Sequence, residues 1–370
     1  MQTKRKNLKI GFIIQFIVSG APLMADLFIP QFAETLGATR FEIGILGTAF
    51  ALSMFISATV FGRISDKLGR KKIISLGCIS AGLFYAVSFF SASFPNFFVL
   101  RILQGISIGI YPGALAAYVN ENSGKMDDYT AWGALGIAFF LGLSSVIATL
   151  VNIRWIFVAV GVLYLISLLL VSKLKEKDIK PFTILLFPKE IIKKNINLYL
   201  AIFFTFTGIN VTWTFWILFL SELGATPFMV GCITIMNPLF EFLTLKFVAH
   251  RIKWRSTGLG ILILALAFPF FSLARHPFQI MPLQAITGVG WAFMFAGSLN
   301  EIMENNKETG TATGILISSI SLGNITGPFI AGVIALLFKS LKYQFIFAGL
   351  IIFVGFIIVS KGKRKKINSS

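Results

Sequence analysis

The sequence predicts an all-α integral membrane protein with twelve transmembrane helices in two six-helix bundles and both termini cytoplasmic. Three observations predict it. The 370-residue chain is 56% apolar and 13% charged, with a mean hydropathy of +0.83, whereas a soluble globular chain carries about 25% charged residues. The charges fall in short clusters between apolar runs of the length that crosses a bilayer, about twenty residues. Finally, 33 Lys and Arg against 15 Asp and Glu give a net charge of +18, and these cations flank apolar runs rather than line one soluble face. A water-soluble domain is excluded, and membrane topology accounts for the basic balance better than nucleic-acid binding does.

Taken in order, the spans cover residues 9–35, 41–63, 72–92, 95–119, 129–151 and 154–173, then 197–221, 227–247, 256–274, 277–303, 310–337 and 342–360. The first apolar stretch continues past Ser19-Gly20-Ala21 to Phe32, which is too long for the core of a cleaved signal peptide, so it reads as an uncleaved first helix. An even number of crossings places both termini on one side. One set of connections is the N-terminus, 63–72, Lys125, 173–194, 246–255, Lys307 and 361–366; it carries 27 Lys and Arg. The opposite set, Arg40, Arg101, Arg154, Arg275, Lys339 and Lys342, carries 6. Positive charge is retained in the cytoplasm, so the expected protein is a multi-pass cell-membrane protein with both termini inside.

Residues 1–173 form the expected N-terminal bundle, 174–196 a Lys-rich cytoplasmic linker containing Pro181 and Pro188, and 197–370 the C-terminal bundle with a basic tail. The apolar residues of the linker either lie on the membrane surface or are incidental to a solvated segment. An internal repeat supports two halves. Placing Gly133 on Gly314 brings Leu141-Gly142 onto Leu322-Gly323, and upstream Gly105 matches Gly288. Repeats of six-helix halves about an axis along the membrane normal are one architecture of secondary transporters.

After the second span stands Gly62-Arg-Ile-Ser-Asp66-Lys-Leu-Gly69-Arg70-Lys71. It resembles the G-x-x-x-D-[RK]-x-G-R-[RK] loop between helices two and three of the major facilitator superfamily, at every specified position. Physically, Gly62 is expected to allow a close helix approach and Gly69 a tight turn, while Asp66 is suited to cap the third helix and pair with a cation. The resemblance implies a cytoplasmic conformational latch made of Gly62, Asp66, Gly69, Arg70 and Lys71. The equivalent turn of the second half, around His250, lacks the acid and both glycines, and His250 has no second ligand at metal-binding spacing.

Arg101-Ile-Leu-Gln104-Gly105-Ile-Ser-Ile-Gly109 is similar to the family's R-x-x-Q-G-x-x-x-G segment on helix four, whose arginine the resemblance links to proton transfer, with Gln104, Gly105 and Gly109 as packing positions. A charge inside a helix costs roughly 2.5 to 3.5 kcal/mol on insertion scales, so Arg101 either faces the interior and a partner or snorkels to the outer boundary. Asp26-Leu-Phe-Ile-Pro30, preceded by Pro22, predicts a bent or locally unwound first helix. This arrangement resembles the first helix of twelve-helix drug/proton antiporters, which implies proton or cation binding by Asp26; the alternative is that Asp26 satisfies backbone donors at the kink. The Gly-Pro pattern of that branch's helix five is missing here, but Gly323-Asn-Ile-Thr-Gly327-Pro328 on helix eleven retains it.

Glu241 lies mid-span and is a second candidate for proton or cation binding, or else makes a structural hydrogen bond. Asn210 and Trp213, three apart on one helix face, together with Tyr111, Gln15 and Trp291, offer the amide and aromatic groups that suit an organic solute, or else serve packing. Cys78 and Cys232 read as inert core residues, and no metal site, cofactor motif or enzymatic nucleophile is evident. The expected partners are a small-molecule substrate, protons and the lipid bilayer, without nucleic acid, for a monomeric chain. The resemblance implies a secondary transporter using alternating access, with proton-coupled efflux ahead of proton-coupled or facilitated uptake of a metabolite, and of a receptor-like or channel-like role.

Overall fold

The computed structural model describes residues 2–122, 126–174, 189–247, 256–306 and 309–367. Its elements are α1 (Gln2–Asp26), α2 (Ile29–Thr35), α3 (Arg40–Leu68), α4 (Arg70–Ser88), α5 (Phe94–Ile110), α6 (Pro112–Glu121), α7 (Met126–Leu150) and α8 (Arg154–Ser172), then α9 (Lys189–Trp213), α10 (Trp216–Glu222), α11 (Pro227–Phe247), α12 (Ser256–Phe271), α13 (Ile280–Asn305), α14 (Thr309–Leu337) and α15 (Lys342–Ile367). A short 3-10 turn precedes α13, and no strand occurs among the described residues. Among them, eleven helical stretches are long and apolar enough to cross a membrane. The expected span at 256–274 is the exception: α12 ends at Phe271, so its apolar helix falls below that length.

Three spans are each split in two among the described residues, at α1–α2, α5–α6 and α9–α10, and the first and last of these breaks fall at equivalent places. After α1 the chain unwinds at Leu27-Phe28, and α2 resumes with Pro30 in its first turn. Proline has no N–H to donate and restricts the residue before it, which explains a break at this point. Pro22 lies inside α1 without breaking it. In the second half α9 stops at Trp213 and α10 starts at Trp216, although no proline is present. There the Asn210 carbonyl accepts from the Thr214 side chain at 2.7 Å and from the Thr214 N–H at 3.1 Å.

The spans split at α1–α2 and α9–α10 end identically. Leu36-Gly37-Ala38-Thr39 recurs as Leu223-Gly224-Ala225-Thr226. Gly37 and Gly224 have φ of 86° and 84°, a left-handed conformation that glycine adopts without steric penalty. The Ala38 N–H reaches the Ala33 carbonyl at 3.1 Å and the Gly37 N–H that of Glu34 at 3.0 Å; Ala225 and Gly224 repeat the pattern to Leu220 and Ser221 at 3.0 and 2.9 Å. These paired bonds satisfy carbonyls at the helix end and stop it sharply.

The chain divides into two compact units. One comprises 1–39, 49–183 and 226–231, the other 40–48, 184–225 and 232–370. The described part of the expected linker is helical from Lys189 onward, since α9 begins there, and 175–188 lie outside the described residues. In the first unit α1 packs on α7 and α4 on α8; in the second α9 packs on α14 and α12 on α15. Lipid provides little hydrophobic drive between helices, so close approach through small residues carries the packing. A side chain on Gly20 or Gly136 would collide with backbone across the α1–α7 seam. On the α9–α14 seam, a Cβ on Gly323 would stand 2.7 Å from that of Phe206, and one on Gly327 would meet Asn210.

Each of α2 and α10 anchors an aromatic cluster. Phe32 of α2 lies 4.9 Å from Phe97 and 5.0 Å from Phe157 between ring centroids. In the second unit, Phe345 stands 4.4 Å from Phe219 of α10 and 5.4 Å from Phe271. Such pairs add about 0.5–1.5 kcal/mol each beyond area burial. They hold the segments after the two breaks, and so fix the residues placed at those breaks.

Candidate functional site

Asp26 is the last residue of α1, immediately before the break. Its Oδ1 lies 3.1 Å from Nη1 of Arg101, which α5 supplies. Arg101 is 4% exposed and Asp26 26%. The two therefore meet inside the first unit, and Arg101 faces the interior rather than snorkelling. Two further contacts steady the guanidinium: Nη1 donates to Gln104 Oε1 at 2.9 Å, and the group lies 3.9 Å over the Phe50 ring. Gln104 is held in turn by donating to Ser88 Oγ at 2.8 Å. Together these offset the roughly 2.5 to 3.5 kcal/mol that a cation costs within a span.

The ion pair is close but not aligned for hydrogen bonding. Asp26 Oδ1 and Arg101 Nε are both buried without a hydrogen-bond partner among the described residues, as is the Tyr85 hydroxyl.

Tyr111 caps the break between α5 and α6, where Pro112 starts the new helix. Its hydroxyl donates to the Val18 carbonyl at 3.1 Å and stands 2.9 Å from that of Tyr164. Gln15 is half-buried and faces Gly133 of α7. A Cβ on Gly105 would strike Ser53 and Phe50, and one on Gly109 Met54 and Ala58, so both close the α3–α5 seam.

The loop after α3 differs from expectation in one respect. A Cβ on Gly62 would itself meet nothing within 4 Å, but α6 does pass close by: a Cβ on Gly113 would stand 3.8 Å from the Gly62 Cα. The N-cap of α4 is Gly69, whose φ of 103° makes the turn, and no side chain caps it; Asp66 still belongs to α3. The Asp66 side chain lies outside the described residues. Arg70 contacts Glu121 at 3.1 Å and donates to Ser65 Oγ at 2.7 Å, while Lys71 donates to the Ser172 and Leu174 carbonyls at 2.6 and 2.9 Å. His250 is also outside the described residues.

In the second unit, Asn210 donates to Asn324 Oδ1 of α14 at 2.8 Å, and Thr207 pairs with Thr326 at 2.9 Å. Trp213 instead borders a cavity of about 20 Å³ with Trp216, Asn237, Gln284, Thr287 and Trp291, enough for about one water molecule. Asn237 donates to Thr287 Oγ1 at 2.9 Å, and that hydroxyl donates to the Gln284 carbonyl at 2.9 Å. Glu241 follows Asn237 by one helical turn and has no hydrogen bond or ion pair among the described residues. Pro328 packs on Gly44 and Gly47, the Pro328 carbonyl standing 2.6 Å from where a Gly44 Cβ would be. Cys78 and Cys232 are free, and no metal-binding cluster occurs among the described residues.

Sequence reasoning did not single out Tyr85, Phe50, Ser88, Trp216 or Asn324. Asn324 lies within the Gly323–Pro328 pattern but was not itself weighed; the others sit in apolar runs with nothing in their spacing to mark them. The recurrent Leu-Gly-Ala-Thr was the legible signal for the two equivalent helix ends.

These features define a multi-pass helical membrane protein made of two units with matching helix pairings and a charged pair within its spans. The chain belongs to the Major Facilitator Superfamily, whose family model matches residues 11–314, and it is a transporter of that superfamily. It is 26% identical to the class B tetracycline resistance protein of Escherichia coli over 331 residues, covering 79% of each chain. It is likewise 26% identical to the quinolone resistance protein NorA of Staphylococcus aureus over 347 residues, covering 87% of each. The crystal structure of the nucleoside transporter NupG superposes with a TM-score of 0.76 at 17% identity, over 97% of this chain and 99% of the other; this likeness concerns the fold.

Proposed function

We infer that the protein exports a small organic solute across the cell membrane by alternating access, in exchange for protons. The observation that carries this reading is the Asp26–Arg101 pair, a carboxylate and a guanidinium held together inside the membrane-spanning region beside a break in the first span. Burial favours the neutral acid and the guanidinium favours the carboxylate. A movement that parts them therefore promotes proton uptake and one that joins them promotes release, which ties protonation to conformation. Efflux is favoured over uptake by the similarity to tetracycline and quinolone resistance proteins along most of the chain.

Around this core, Asn210, Trp213, Tyr111 and Gln15 are the proposed solute contacts, with Glu241 as a second acid for proton or cation binding. Gly62, Asp66, Gly69, Arg70 and Lys71 form the proposed cytoplasmic latch, and Gln104, Gly105, Gly109, Gly323, Gly327 and Pro328 the packing positions. The twelfth crossing is α12, whose 16 residues span about 24 Å at 1.5 Å per residue. The bundles are 1–173 and 197–370, joined by a cytoplasmic linker at 174–196, in a monomer.

The test is solute counterflow in proteoliposomes with tetracycline, a quinolone and ethidium. Saturable counterflow of at least one, accelerated by an imposed pH gradient, is the expected result. A channel gives no counterflow and a receptor moves nothing, so its absence with all three overturns export. Sidedness is tested separately. The 27-to-6 division of Lys and Arg predicts that a cysteine at Ser369 is labelled from the cytoplasm alone and one at Asn96 from outside alone. Reversed labelling would place the termini outside.

A further inference from the structure

Among the described residues, four prolines lie inside helices: Pro22 in α1, Pro238 in α11, Pro269 in α12 and Pro328 in α14. A helical carbonyl accepts from the N–H four residues on, and proline has none to give. The carbonyls of Val18, Thr234, Ala265 and Asn324 therefore lose that partner. One of the four receives a side chain instead: the Tyr111 hydroxyl donates to the Val18 carbonyl at 3.1 Å, and both residues are buried. No side chain among the described residues reaches the other three. Because the Tyr111 proton is directed at Val18, Tyr164 of α8 is the donor in its 2.9 Å contact with Tyr111. A hydroxyl that accepts one bond donates the next more strongly. A Cβ on Gly77 of α4 would stand 2.7 Å from the Tyr111 ring, so the ring is closely held as well.

We propose that the Tyr111 hydroxyl takes the place of the N–H that Pro22 lacks, and thereby positions the last turn of α1, which carries Asp26, against Arg101. The functional half of this proposal rests on the coupling reading above. Pro22 stands midway between Val18 and Asp26, four residues from each. On either side of it α5 grips α1, through Tyr111 on Val18 and Arg101 on Asp26, at 3.1 Å each. The grips are about 12 Å apart along α1 and about 15 Å along α5 at 1.5 Å per residue, in opposite chain order, as two antiparallel helices require. The α1 backbone packs on α7 and α8, so long side chains make its link to α5. Beyond the proline the turn holds together, with the Leu27 N–H on the Leu23 carbonyl at 3.2 Å and the Phe28 N–H on that of Ala25 at 2.9 Å. The weak joint is thus at residue 22. Without a substitute bond there, a bare carbonyl would face the membrane interior and the Asp26 turn would be free to pivot. A solute contact by Tyr111 falls to its ring, because its hydroxyl is committed within the fold.

The second unit provides the contrast. There the Tyr199 hydroxyl donates to the Ala312 carbonyl at 3.0 Å, but residue 316 is leucine, which has an N–H of its own to give. That bond joins α9 to α14 and replaces nothing. The proline, rather than the tyrosine, gives the Tyr111 bond its meaning.

The experiment needs no substrate. Hydrogen–deuterium exchange of the full chain in lipid nanodiscs is read by mass spectrometry on a peptide covering residues 19–28. Tyr111→Phe keeps the ring and deletes the hydroxyl, and the expected result is about tenfold faster exchange in that peptide, the loss of one buried hydrogen bond. Pro22→Ala gives Val18 a backbone donor, so in that background the same deletion should leave exchange unchanged. Comparing the deletion within each background cancels the cost of Pro22→Ala itself. Equal acceleration in both backgrounds, or none in the parent, overturns the proposal and leaves the coupling reading intact. The position of Asp26 is read by infrared spectroscopy, from the carboxylate stretch that Asp26→Asn removes, whose frequency reports the guanidinium 3.1 Å away. In Tyr111→Phe this band should move toward its place in Arg101→Ala, and return when Pro22→Ala is added. A band that stays at the parental frequency in Tyr111→Phe, or a shift that Pro22→Ala does not reverse, overturns the positioning role. If Asp26→Asn removes no band, Asp26 holds no charge for Arg101 to pair with; the coupling reading then fails and the positioning role with it, while the exchange cycle still decides the bond that replaces the missing N–H.

Discussion

Asp26→Asn is expected to abolish proton-driven accumulation while leaving part of the solute counterflow. A pH gradient of one unit supplies about 1.4 kcal/mol per proton, equivalent to roughly a tenfold solute ratio for one-to-one exchange. In the variant that ratio should fall to one, because asparagine cannot carry a proton. The substitution retains the size and a hydrogen-bonding oxygen 3.1 Å from Arg101, so the kink and the α1–α5 contact should persist. Counterflow moves no net proton and tests whether the conformational cycle itself survives. The measurement is paired: solute uptake into proteoliposomes with and without the gradient, alongside the alkalinisation or acidification that substrate induces. If Asp26→Asn accumulates solute as the parent does, Asp26 merely terminates α1, and Glu241, the unpartnered acid of α11, becomes the next residue to test.

Gly136→Ala should be the most damaging conservative change in the first unit. A single methyl there would run into the Phe16 carbonyl across the α1–α7 seam, with backbone rather than a flexible side chain as the obstacle. Overpacking usually costs 1–3 kcal/mol where side chains can yield, and here they cannot, so a loss of at least ~3 kcal/mol is expected. That corresponds to roughly 4 °C in the unfolding midpoint of a chain this long. Gly314→Ala is the contrast. Its added methyl enters open space on α14, and alanine is the better helix former by about 0.8–1 kcal/mol, so the midpoint should hold or rise. Thermal unfolding of both variants in the same detergent decides it: equal behaviour would mean that the seam yields more than its geometry allows.

Much of the architecture was legible in the residues themselves. Composition excludes a soluble chain, and eleven of the expected spans coincide with long apolar helices, because hydropathy over about twenty residues is a property of the local sequence. The internal match of Gly105 with Gly288 corresponds to equivalent contacts, on α3 in one unit and α11 in the other. Local chemistry also explains the turn at Gly69, where only a residue without Cβ adopts a φ of 103° easily. At Gly62 the partner in the close approach, Gly113 of α6, became visible only in the folded chain.

What the sequence determined by itself was therefore the membrane character, the placement of most spans and the residues worth testing. Only the tertiary structure decided which of those residues meet. Periodicity assigns a side chain to a helix face, but the neighbour across that face depends on how the helices pack, and small-residue seams such as Gly20 with Gly136 set that distance. Thus Asp26 and Arg101, 75 positions apart, form a pair; Asn210 turns to Asn324 while Trp213, three residues on, borders a cavity instead. Tyr85 carries no mark in an apolar run, and becomes conspicuous only where packing buries it fully and stacks it on the Tyr164 ring.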